Sequence, residues 1–365
     1  MNRSEVVKAL GTVKDPATGQ DIVEAHLVEN LKIEDKRISF ELTLPPASAA
    51  NKFELHAACV EAIKAIDSSA DVHVHFKQGK AKPNPAKANR KLPQIKNIIA
   101  VASGKGGVGK STVSVNLALA LKALGATVGV LDADIYGPSI PLMFGLQGKK
   151  PQVKNLNGKP LILPLIAYDI PMISMGFIIE PKQAVVLRGP RLGAILNQFI
   201  NEVYWDKLDF LIVDLPPGTG DVQLSLAQTV PITGAVLVTT PQDVALADAV
   251  KAMNMFKMES IDVPILGVVE NMSWFSPAEF PDNKYFIFGK DGGKTLAKEA
   301  GTMLLGQVPI VQAVREGGDN GSPVFLNDDK PAVQKAFEKI GKNLLTQIAV
   351  RAEYLAPTRV VKINE

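Results

Sequence analysis

The sequence contains one cysteine, Cys59, among its 365 residues. A single cysteine cannot form a disulfide within the chain, and it cannot supply a cysteine-ligated metal site from one chain. Apolar runs are also short, because none reaches the roughly 18 to 20 residues that a membrane-spanning helix needs. The opening residues, MNRSEVVKAL, contain no apolar block and no small-residue cleavage site. We therefore expect a cytoplasmic protein with no membrane partner.

An excess of charge of one sign is also lacking, since the formal net charge is only +3. Such a small value gives no reason to expect specific nucleic-acid binding. The local exception is KQGKAKPNPAKANRKLPQIK, residues 77–96, which carries seven basic residues, three prolines and no acidic residue. This composition is typical of an extended, solvated linker, which we place at residues 78–96. A basic arm that touches phosphate or an acidic partner is the alternative.

Two different patterns flank this linker. Residues 1–77 combine a helical stretch, a hairpin pattern, an amphipathic helix and a short alternating strand, which predicts a small α/β (α+β) module. Over residues 97–350, apolar strands rich in Val, Ile and Leu alternate with helices, which predicts a doubly wound, mostly parallel α/β sheet. Residues 351–365 would form a tail. The predicted strands are NIIAVAS, TVGVLDAD, DFLIVDLP, AVLVTTP, PILGVVEN and TMLLGQVPI.

The first of these strands runs into GKGGVGKST, residues 104–112, and then into a helical stretch. This is the P-loop pattern G-x-x-x-x-G-K-[ST] in the strand–loop–helix setting that it requires. Glycines let backbone N–H groups converge on phosphate oxygens, and the helix N-terminus adds partial positive charge. Lys110 would reach the β- and γ-phosphates, and Ser111 would ligate Mg²⁺. The predicted ATP-binding residues here are Gly104, Lys105, Gly106, Gly107, Val108, Gly109, Lys110, Ser111 and Thr112.

Lys105, directly after the first glycine, indicates a more specific group of P-loop proteins. With this second lysine the loop resembles the deviant Walker A NTPases, the group of nitrogenase iron protein, MinD and ParA. The resemblance implies a homodimer in which Lys105 reaches across to the partner's ATP and acts in catalysis together with Lys110. An exposed lysine without a special role is the alternative.

Three aspartates end two of the predicted strands close to this loop. Asp132 and Asp134 are two residues apart, a spacing that in a strand puts both carboxylates on one side. Asp214 follows four apolar residues, as in a Walker B strand, and residues 216–220 would form a switch loop. The resemblance implies that Asp134 activates the attacking water, and that Asp132 and Asp214 hold Mg²⁺. Turn formation or helix capping is the ordinary alternative for such aspartates.

Recognition of the base would fall to two later segments. Asn271, just after the strand PILGVVE, lies where the deviant Walker A group places an asparagine amide on the purine edge. QVPIVQAVREG, with Pro309 and Arg315, resembles the second base-contacting segment. A buried asparagine that caps a strand end is the alternative.

Longer phrases narrow the resemblance to the Mrp/NBP35 (ApbC) family of iron–sulfur cluster carriers, and the first module resembles the MIP18 (DUF59) domain. The phrases are LDADIYGPSIPLMFG, LRGPRLGAILNQFI, DFLIVDLPPGTGDVQLSLAQ and ENMSWF. The family implies a [4Fe–4S] cluster shared across the dimer, with apo iron–sulfur client or assembly proteins as partners. Members follow the ENMS phrase with Cys-x-x-Cys, where this chain has Ser276 to Glu279, so we predict no iron–sulfur ligand. Cys59, within HAACVEAI, is expected in the core.

The leading hypothesis is thus a dimeric, Mg²⁺-dependent ATP hydrolase that carries or assembles iron–sulfur clusters. The alternative is a nucleotide-gated protein-interaction or positioning switch, like MinD and ParA, that binds no cluster itself. In that case the aromatic, irregular stretch at residues 274–288 would be the partner surface. A third hypothesis is a P-loop kinase that uses Arg188 and Arg191 as lid arginines.

Overall fold

The chain, described here from a computed structural model, divides into two compact units. One comprises residues 1–85 with 350–357, and the other comprises residues 86–349 with 358–365. Residues 79–91 of the predicted linker, residues 355–365 of the predicted tail, Arg188 and the side chain of Arg191 lie outside the described parts. The described residues are 3–14, 21–23, 27–34, 37–44, 52–78, 92–156, 158–178, 189–277, 279–280, 282–327, 329 and 331–354.

The smaller unit is built on a three-stranded sheet. Helices α1 (Arg3–Leu10) and α2 (Lys52–Lys64) pack together. Strands β1 (Val28–Glu34) and β2 (Arg37–Leu44) pair antiparallel, as the predicted hairpin requires. Strand β3 (Asp71–Gln78) pairs parallel with β2, and α2 supplies the crossover that parallel pairing needs.

The larger unit contains a mostly parallel sheet that includes all six predicted strands. Its described strands are β4 (Ile95–Ala102), β5 (Val128–Asp132), β6 (Val153–Leu156), β7 (Lys159–Ile162), β8 (Leu165–Ala167), β9 (Ile170–Ser174), β10 (Leu208–Asp214), β11 (Gly234–Thr239), β12 (Ile265–Glu270) and β13 (Leu304–Gln307). Eight of them form one sheet in the order β13-β12-β11-β4-β10-β5-β9-β8, in which only β8 and β9 pair antiparallel. Nearly every residue of the central strands is buried, which explains their continuous apolar runs.

Helices cover this sheet on both sides. In the described residues they are α3 (Lys110–Ala123), α4 (Ile140–Met143), α5 (Gly189–Asn201), α6 (Asp221–Thr229), α7 (Asp243–Lys257), α8 (Gly292–Ala300), α9 (Gln312–Asp319) and α10 (Pro331–Tyr354). Right-handed crossovers place α3 on one face and α7 and α8 on the other, because the chain moves in opposite directions from β4 to β5 and from β11 to β13. α10 packs on α3 through Gly341, and α7 packs on α8. The predicted doubly wound fold is confirmed. None of the helices in these described stretches is long and apolar enough to span a membrane.

Four short strands were not predicted from the sequence. β6 and β7 form a separate antiparallel hairpin, and β8 and β9 extend the large sheet beyond β5. These strands have only three to five residues each, and prolines interrupt them at Pro160 and Pro171. Their alternation is therefore too short to recognise, and their pairing depends on the rest of the sheet.

Asp209, near the start of β10, connects the three central strands at their amino ends. Its Oδ1 accepts a hydrogen bond of 2.6 Å from Lys96 Nζ in β4. Its Oδ2 accepts hydrogen bonds from the backbone N and the Oγ1 of Thr127, which precedes β5, at 2.9 and 2.8 Å. The Lys96 hydrogen bond, followed by those from Thr127, lowers the pKa of Asp209 to about 2.

Asp209→Asn should therefore lower the free energy of unfolding at pH 7 by about 1 kcal/mol, a small value because water screens this partly exposed pair. A lowered carboxyl pKa stabilises the fold above the ordinary Asp pKa, and this stabilisation is lost as the pH falls toward 2. Urea unfolding at several pH values should show the difference between wild type and variant shrinking in that range. Asp206→Asn, on the exposed preceding turn, is the matched control. A difference that stays constant with pH would contradict the ion pair as its cause.

Candidate functional site

The predicted phosphate loop connects β4 to α3, and glycine is required at its different positions for different structural reasons. Gly107 and Gly109 have φ values of 83° and 81°, in the left-handed region that favours glycine. Gly104 is required by close packing, because a Cβ there would lie 2.1 Å from the backbone carbon of Asp248 in α7. The loop thus lies at the carboxyl ends of parallel strands and at a helix N-terminus, the geometry that turns backbone N–H groups toward an anion.

Asp214, the last residue of β10, is fully buried and receives three side-chain hydrogen bonds. Lys110 Nζ and Ser111 Oγ donate to Oδ2 at 2.7 and 2.6 Å, and Ser114 Oγ donates to Oδ1 at 2.6 Å. A carboxylate can remain buried when it is paired and hydrogen-bonded in this way. The sequence reasoning missed Ser114, although its position four residues after Lys110 places both on one face of α3.

Asp132 ends β5 directly beside Asp214 in the sheet register, and it is also fully buried. Ser174 Oγ donates to its Oδ2 at 2.8 Å, and the backbone N of Asp134 donates to its Oδ1 at 3.1 Å. Burial, and then the negative charge of Asp214, raise the pKa of Asp132 well above its ordinary value. Ser174 was missed because it ends β9, a strand that the sequence did not reveal.

Asp134 lies closer to solvent, with 8% of its surface exposed. Its Oδ2 is 3.8 Å from Lys110 Nζ, and its Oδ1 accepts a hydrogen bond of 3.2 Å from the backbone N of Gly137. Burial raises the pKa of Asp134, and the nearby Lys110 charge opposes that effect. Lys110 therefore contacts Asp214 on one side and faces Asp134 on the other.

A cavity of about 250 Å³ adjoins the loop and brings most of the predicted residues together. From the predicted set it is lined by Lys105, Gly106, Gly107, Gly109, Lys110, Ser111, Thr112 and Asp134, together with Ser103, Ser139, Met143 and Pro217. Ser111 Oγ and Asp214 Oδ2, 2.6 Å apart, are hard oxygen donors of the kind that Mg²⁺ prefers. The cationic, N–H-rich loop and these oxygens therefore fit a nucleoside triphosphate with Mg²⁺.

Asn271 and Pro309, predicted to contact the base, do not line this cavity. Asn271 is buried, and its Nδ2 donates to the carbonyl oxygen of Val108 at 2.9 Å. A Cβ on Gly109 would lie 2.2 Å from that same nitrogen, so the amide packs directly on the phosphate loop. Pro309 lines a different cavity, and Arg315 forms ion pairs with two acidic residues of α9. Base contact by Asn271 and Pro309 stays a prediction.

The predicted switch loop, residues 216–220, is held by one hydrogen bond to Ser103, which follows β4, and by two hydrogen bonds from α6. Gly218 N donates to the carbonyl oxygen of Ser103 at 2.9 Å. Gln223 Nε2 donates to the carbonyl oxygens of Pro216 and Gly218, each at 2.9 Å. Gln223 is buried on α6 and was not identified from the sequence, where a single glutamine in GDVQLS gave no distinct signal.

The aromatic stretch, residues 274–288, contains a short bridged loop. The backbones of Phe275 and Tyr285 form two mutual hydrogen bonds, of 2.9 and 2.8 Å. Phe280 and Ile287 are about three-fifths exposed, at 61% and 60%. In the segment where the resemblance implies a cysteine pair, residues 276–279, Ser276 and Glu279 carry no thiol, and Ala278 lies outside the described residues.

Thiol chemistry elsewhere is limited to Cys59. This side chain is fully buried in the smaller unit, as expected, and burial raises its pKa to about 12. Across the described stretches, no group of three or more His, Cys, Asp or Glu side chains is arranged to hold a metal ion. The residues that the structure describes therefore do not fit a thiolate-ligated cluster.

Comparison with protein families gives two matches along the chain. The ParA model described as a NUBPL iron-transfer P-loop NTPase matches residues 94–345. The chain belongs to this family. A second model, described as an iron–sulfur cluster assembly protein, matches residues 3–76. The predicted family relationship is confirmed for both parts.

Two relatives of this family are named for carrying or transferring iron–sulfur clusters, and one solved relative is named for nucleotide binding. An iron–sulfur cluster carrier protein of Synechocystis is 43% identical over 95% of this chain and 98% of its own. The iron–sulfur cluster transfer protein NUBPL of Dictyostelium discoideum is 44% identical over 78% of this chain and 85% of its own. A nucleotide-binding protein of Archaeoglobus fulgidus, solved with ADP, is 33% identical, covers 68% of this chain and 94% of its own, and has a TM-score of 0.56. These similarities confirm a P-loop NTP-hydrolysing enzyme and support an iron–sulfur carrier ATPase.

Proposed function

We propose that this protein is a Mg²⁺-dependent ATP hydrolase that works as a cytoplasmic homodimer in the assembly or delivery of iron–sulfur clusters. The observation that carries the proposal is the convergence of Lys110, Ser111 and Ser114 on the buried Asp214 carboxylate beside the phosphate loop. Relatives named as iron–sulfur cluster carrier and transfer proteins support the part of the proposal that concerns iron–sulfur clusters.

Hydrolysis would depend on positioning and charge neutralisation, as in other P-loop enzymes. Lys110 would exchange its contact with Asp214 for phosphate oxygens held by the loop N–H groups. Ser111 and Asp214 would hold Mg²⁺, and Asp132, which lies next to Asp214 on the neighbouring strand, would help to hold it. The bound ion would neutralise phosphate charge. Asp134 would orient the attacking water and accept its proton, a role favoured by a pKa that burial raises.

Completion of the site would require a second copy of the chain. Lys105 is half-buried at the cavity, and Ser103 Oγ donates to its backbone carbonyl oxygen at 3.0 Å. That hydrogen bond orients the loop backbone. The ammonium group of Lys105 lies at the end of a flexible four-carbon chain, so it can reach beyond its own loop. In a two-fold dimer that brings the phosphate loops face to face, each Lys105 would reach the partner's γ-phosphate.

The cluster, as cargo, would obtain its thiolate ligands from another protein. Cys59 is buried with a raised pKa, so it is a poor ligand in the folded smaller unit. The segment from Ser276 to Glu279, where the family resemblance implies a Cys-x-x-Cys pair, contains no cysteine, and the oxygen atoms of Ser276 and Glu279 are weak ligands for an iron–sulfur cluster. ATP hydrolysis would then control contact with a cluster-bearing or cluster-accepting partner.

Reconstitution with iron and sulfide tests this assignment of the cargo. After anaerobic reconstitution and gel filtration, we expect the wild-type chain to retain no stoichiometric iron or sulfide. The double variant Ser276→Cys/Glu279→Cys restores the Cys-x-x-Cys spacing and should retain about four irons per dimer, because two chains then supply four thiolates. Metal analysis and the visible absorbance of the cluster are the measurements.

Two controls define the outcome of this experiment. Ser276→Ala/Glu279→Ala alters the same positions without adding thiols and should behave like wild type. Cluster retained by wild type but lost in Cys59→Ala would contradict the proposal, since it would show that the chain holds its own cargo through Cys59.

A nucleotide-gated interaction switch that handles no cluster is the second candidate function. It is favoured by the exposed apolar side chains of Phe275, Phe280, Tyr285, Phe286 and Ile287, because aromatic clusters are common interface anchors. The two functions are separated by ATPase assays with liposomes or DNA. Stimulation by either would favour a positioning role, whereas stimulation only by an apo iron–sulfur protein would favour the first proposal.

A further inference from the structure

A second cavity, of about 670 Å³, lies at the β13 edge of the large sheet and shares no lining residue with the phosphate-loop cavity. Its walls come from β13, from one face of α10 and from the start of the aromatic stretch. The volume falls within the roughly 300 to 1,000 Å³ of typical ligand sites. Most of its lining side chains are apolar, among them Trp274, Pro277, Leu304, Ile310 and Val311.

Hydrogen bonds to backbone carbonyl oxygens hold the walls of this cavity in place. Ile310 N donates to the carbonyl oxygen of Trp274 at 2.7 Å, and Ser273 N donates to that of Val308 at 3.0 Å. On the opposite side, Asn343 Nδ2 donates to the carbonyl oxygen of Leu305 at 2.7 Å and fixes α10 against the edge strand. The cavity is therefore preformed, so a ligand would not have to order its walls.

Three lysines surround the apolar floor. Lys335 and Lys339 are one turn apart on α10, both exposed, and Lys284 Nζ lies 4.2 Å from the centre of the Trp274 ring. Among the described residues that line the cavity there is no carboxylate. The site thus combines a preformed apolar floor with positive charge on its rim.

We propose that this cavity is a docking site for a peptide segment of a partner protein that carries bulky apolar side chains flanked by carboxylates. Apolar side chains would fill the floor, and the carboxylates would pair with the rim lysines, which matches the charge of the site. The concave shape disfavours a flat lipid surface. Lys284 lies over the Trp274 ring and occupies a face that a nucleic-acid base would need for stacking.

Selection from a displayed library of short random peptides on the full chain tests this proposal. We expect enrichment of sequences that combine Asp or Glu with Leu, Ile, Phe or Trp. The charge-reversal variant Lys335→Glu/Lys339→Glu should bind the synthesised leading peptide at least about tenfold more weakly, since two attractions become repulsions. Lys294→Glu/Lys298→Glu, an equally spaced exposed pair on α8, is the matched control and should bind like wild type.

Tryptophan fluorescence tests whether the peptide binds beside Trp274. The leading peptide, chosen without tryptophan, should shift the emission of wild type and leave that of Trp274→Phe unchanged, because the remaining Trp205 is buried elsewhere. Failure to enrich acidic, apolar peptides, or equal binding by the α10 variant and wild type, would overturn the proposal. Basal ATPase activity should be unchanged in both lysine-pair variants. Loss of peptide docking can therefore be distinguished from loss of ATP hydrolysis.

Discussion

Lys110→Ala is expected to lower ATP affinity roughly 100-fold or more and to remove hydrolysis, because hydrogen bonds from a charged donor contribute about 1.5 to 3 kcal/mol each. In the structure Lys110, the first residue of α3, has its Nζ 2.7 Å from Asp214 and 3.8 Å from Asp134. No other described lysine of the cavity comes from the helix N-terminus. Equilibrium binding of a fluorescent ATP analogue and steady-state phosphate release are the measurements.

The same substitution leaves Asp214 buried without its cationic partner, so folding must be separated from binding. Removing one partner of a buried ion pair costs about 3 kcal/mol, here reduced by the hydrogen bonds from Ser111 and Ser114. Lys110→Ala/Asp214→Asn removes both charges and should recover much of the lost stability in urea unfolding. It should remain unable to bind ATP. Recovery of ATP binding in this double variant would show that Lys110 acts only through the stability of Asp214.

A functional residue can be predicted from the sequence when it belongs to a local sequence pattern, but not when only a contact with a distant residue gives it its role. The phosphate loop is a contiguous strand–loop–helix signal, and Asp132, Asp134 and Asp214 follow from the ends of buried strands. Ser174 could not be found, because its contact with Asp132 spans separate strands and its own strand is short. The local sequence contains no signal for the strand pairing that brings Ser174 next to Asp132.

Asn271 illustrates the opposite case, in which a pattern identifies the residue but not its contact. The sequence predicts an asparagine at a strand end near the nucleotide, whereas the structure places its amide on the carbonyl of Val108. The aromatic stretch is similar, because Phe275 bridges both Tyr285 and Ile310, partners that local periodicity does not indicate. Composition predicted an irregular apolar segment there. The cavity beside Trp274 follows only from the folded chain.

Lys105→Ala should bind ATP nearly as well as wild type and yet lose hydrolysis by a factor on the order of 1,000, as expected for a cation that acts on the transferring phosphoryl group from another subunit. Lys110 and the loop N–H groups remain, so most ground-state binding is retained. Lys105→Arg keeps the charge and should retain part of the rate. Nucleotide binding and single-turnover hydrolysis, measured on the same preparation, separate the two effects.

Mixing two inactive variants tests whether Lys105 acts in the partner's site. A mixed dimer of Lys105→Ala and Lys110→Ala contains one subunit that binds ATP, opposite a subunit that still provides Lys105. Random pairing makes about half of the dimers mixed, each with one complete site, so activity should return to about a quarter of the wild-type value. If Lys105 instead acted on the nucleotide of its own subunit, no mixture would contain a complete site, and the activity of the mixture would stay at the sum of its inactive parts. Restoration by mixing therefore distinguishes a shared site from a self-contained one without any assumption about the cargo.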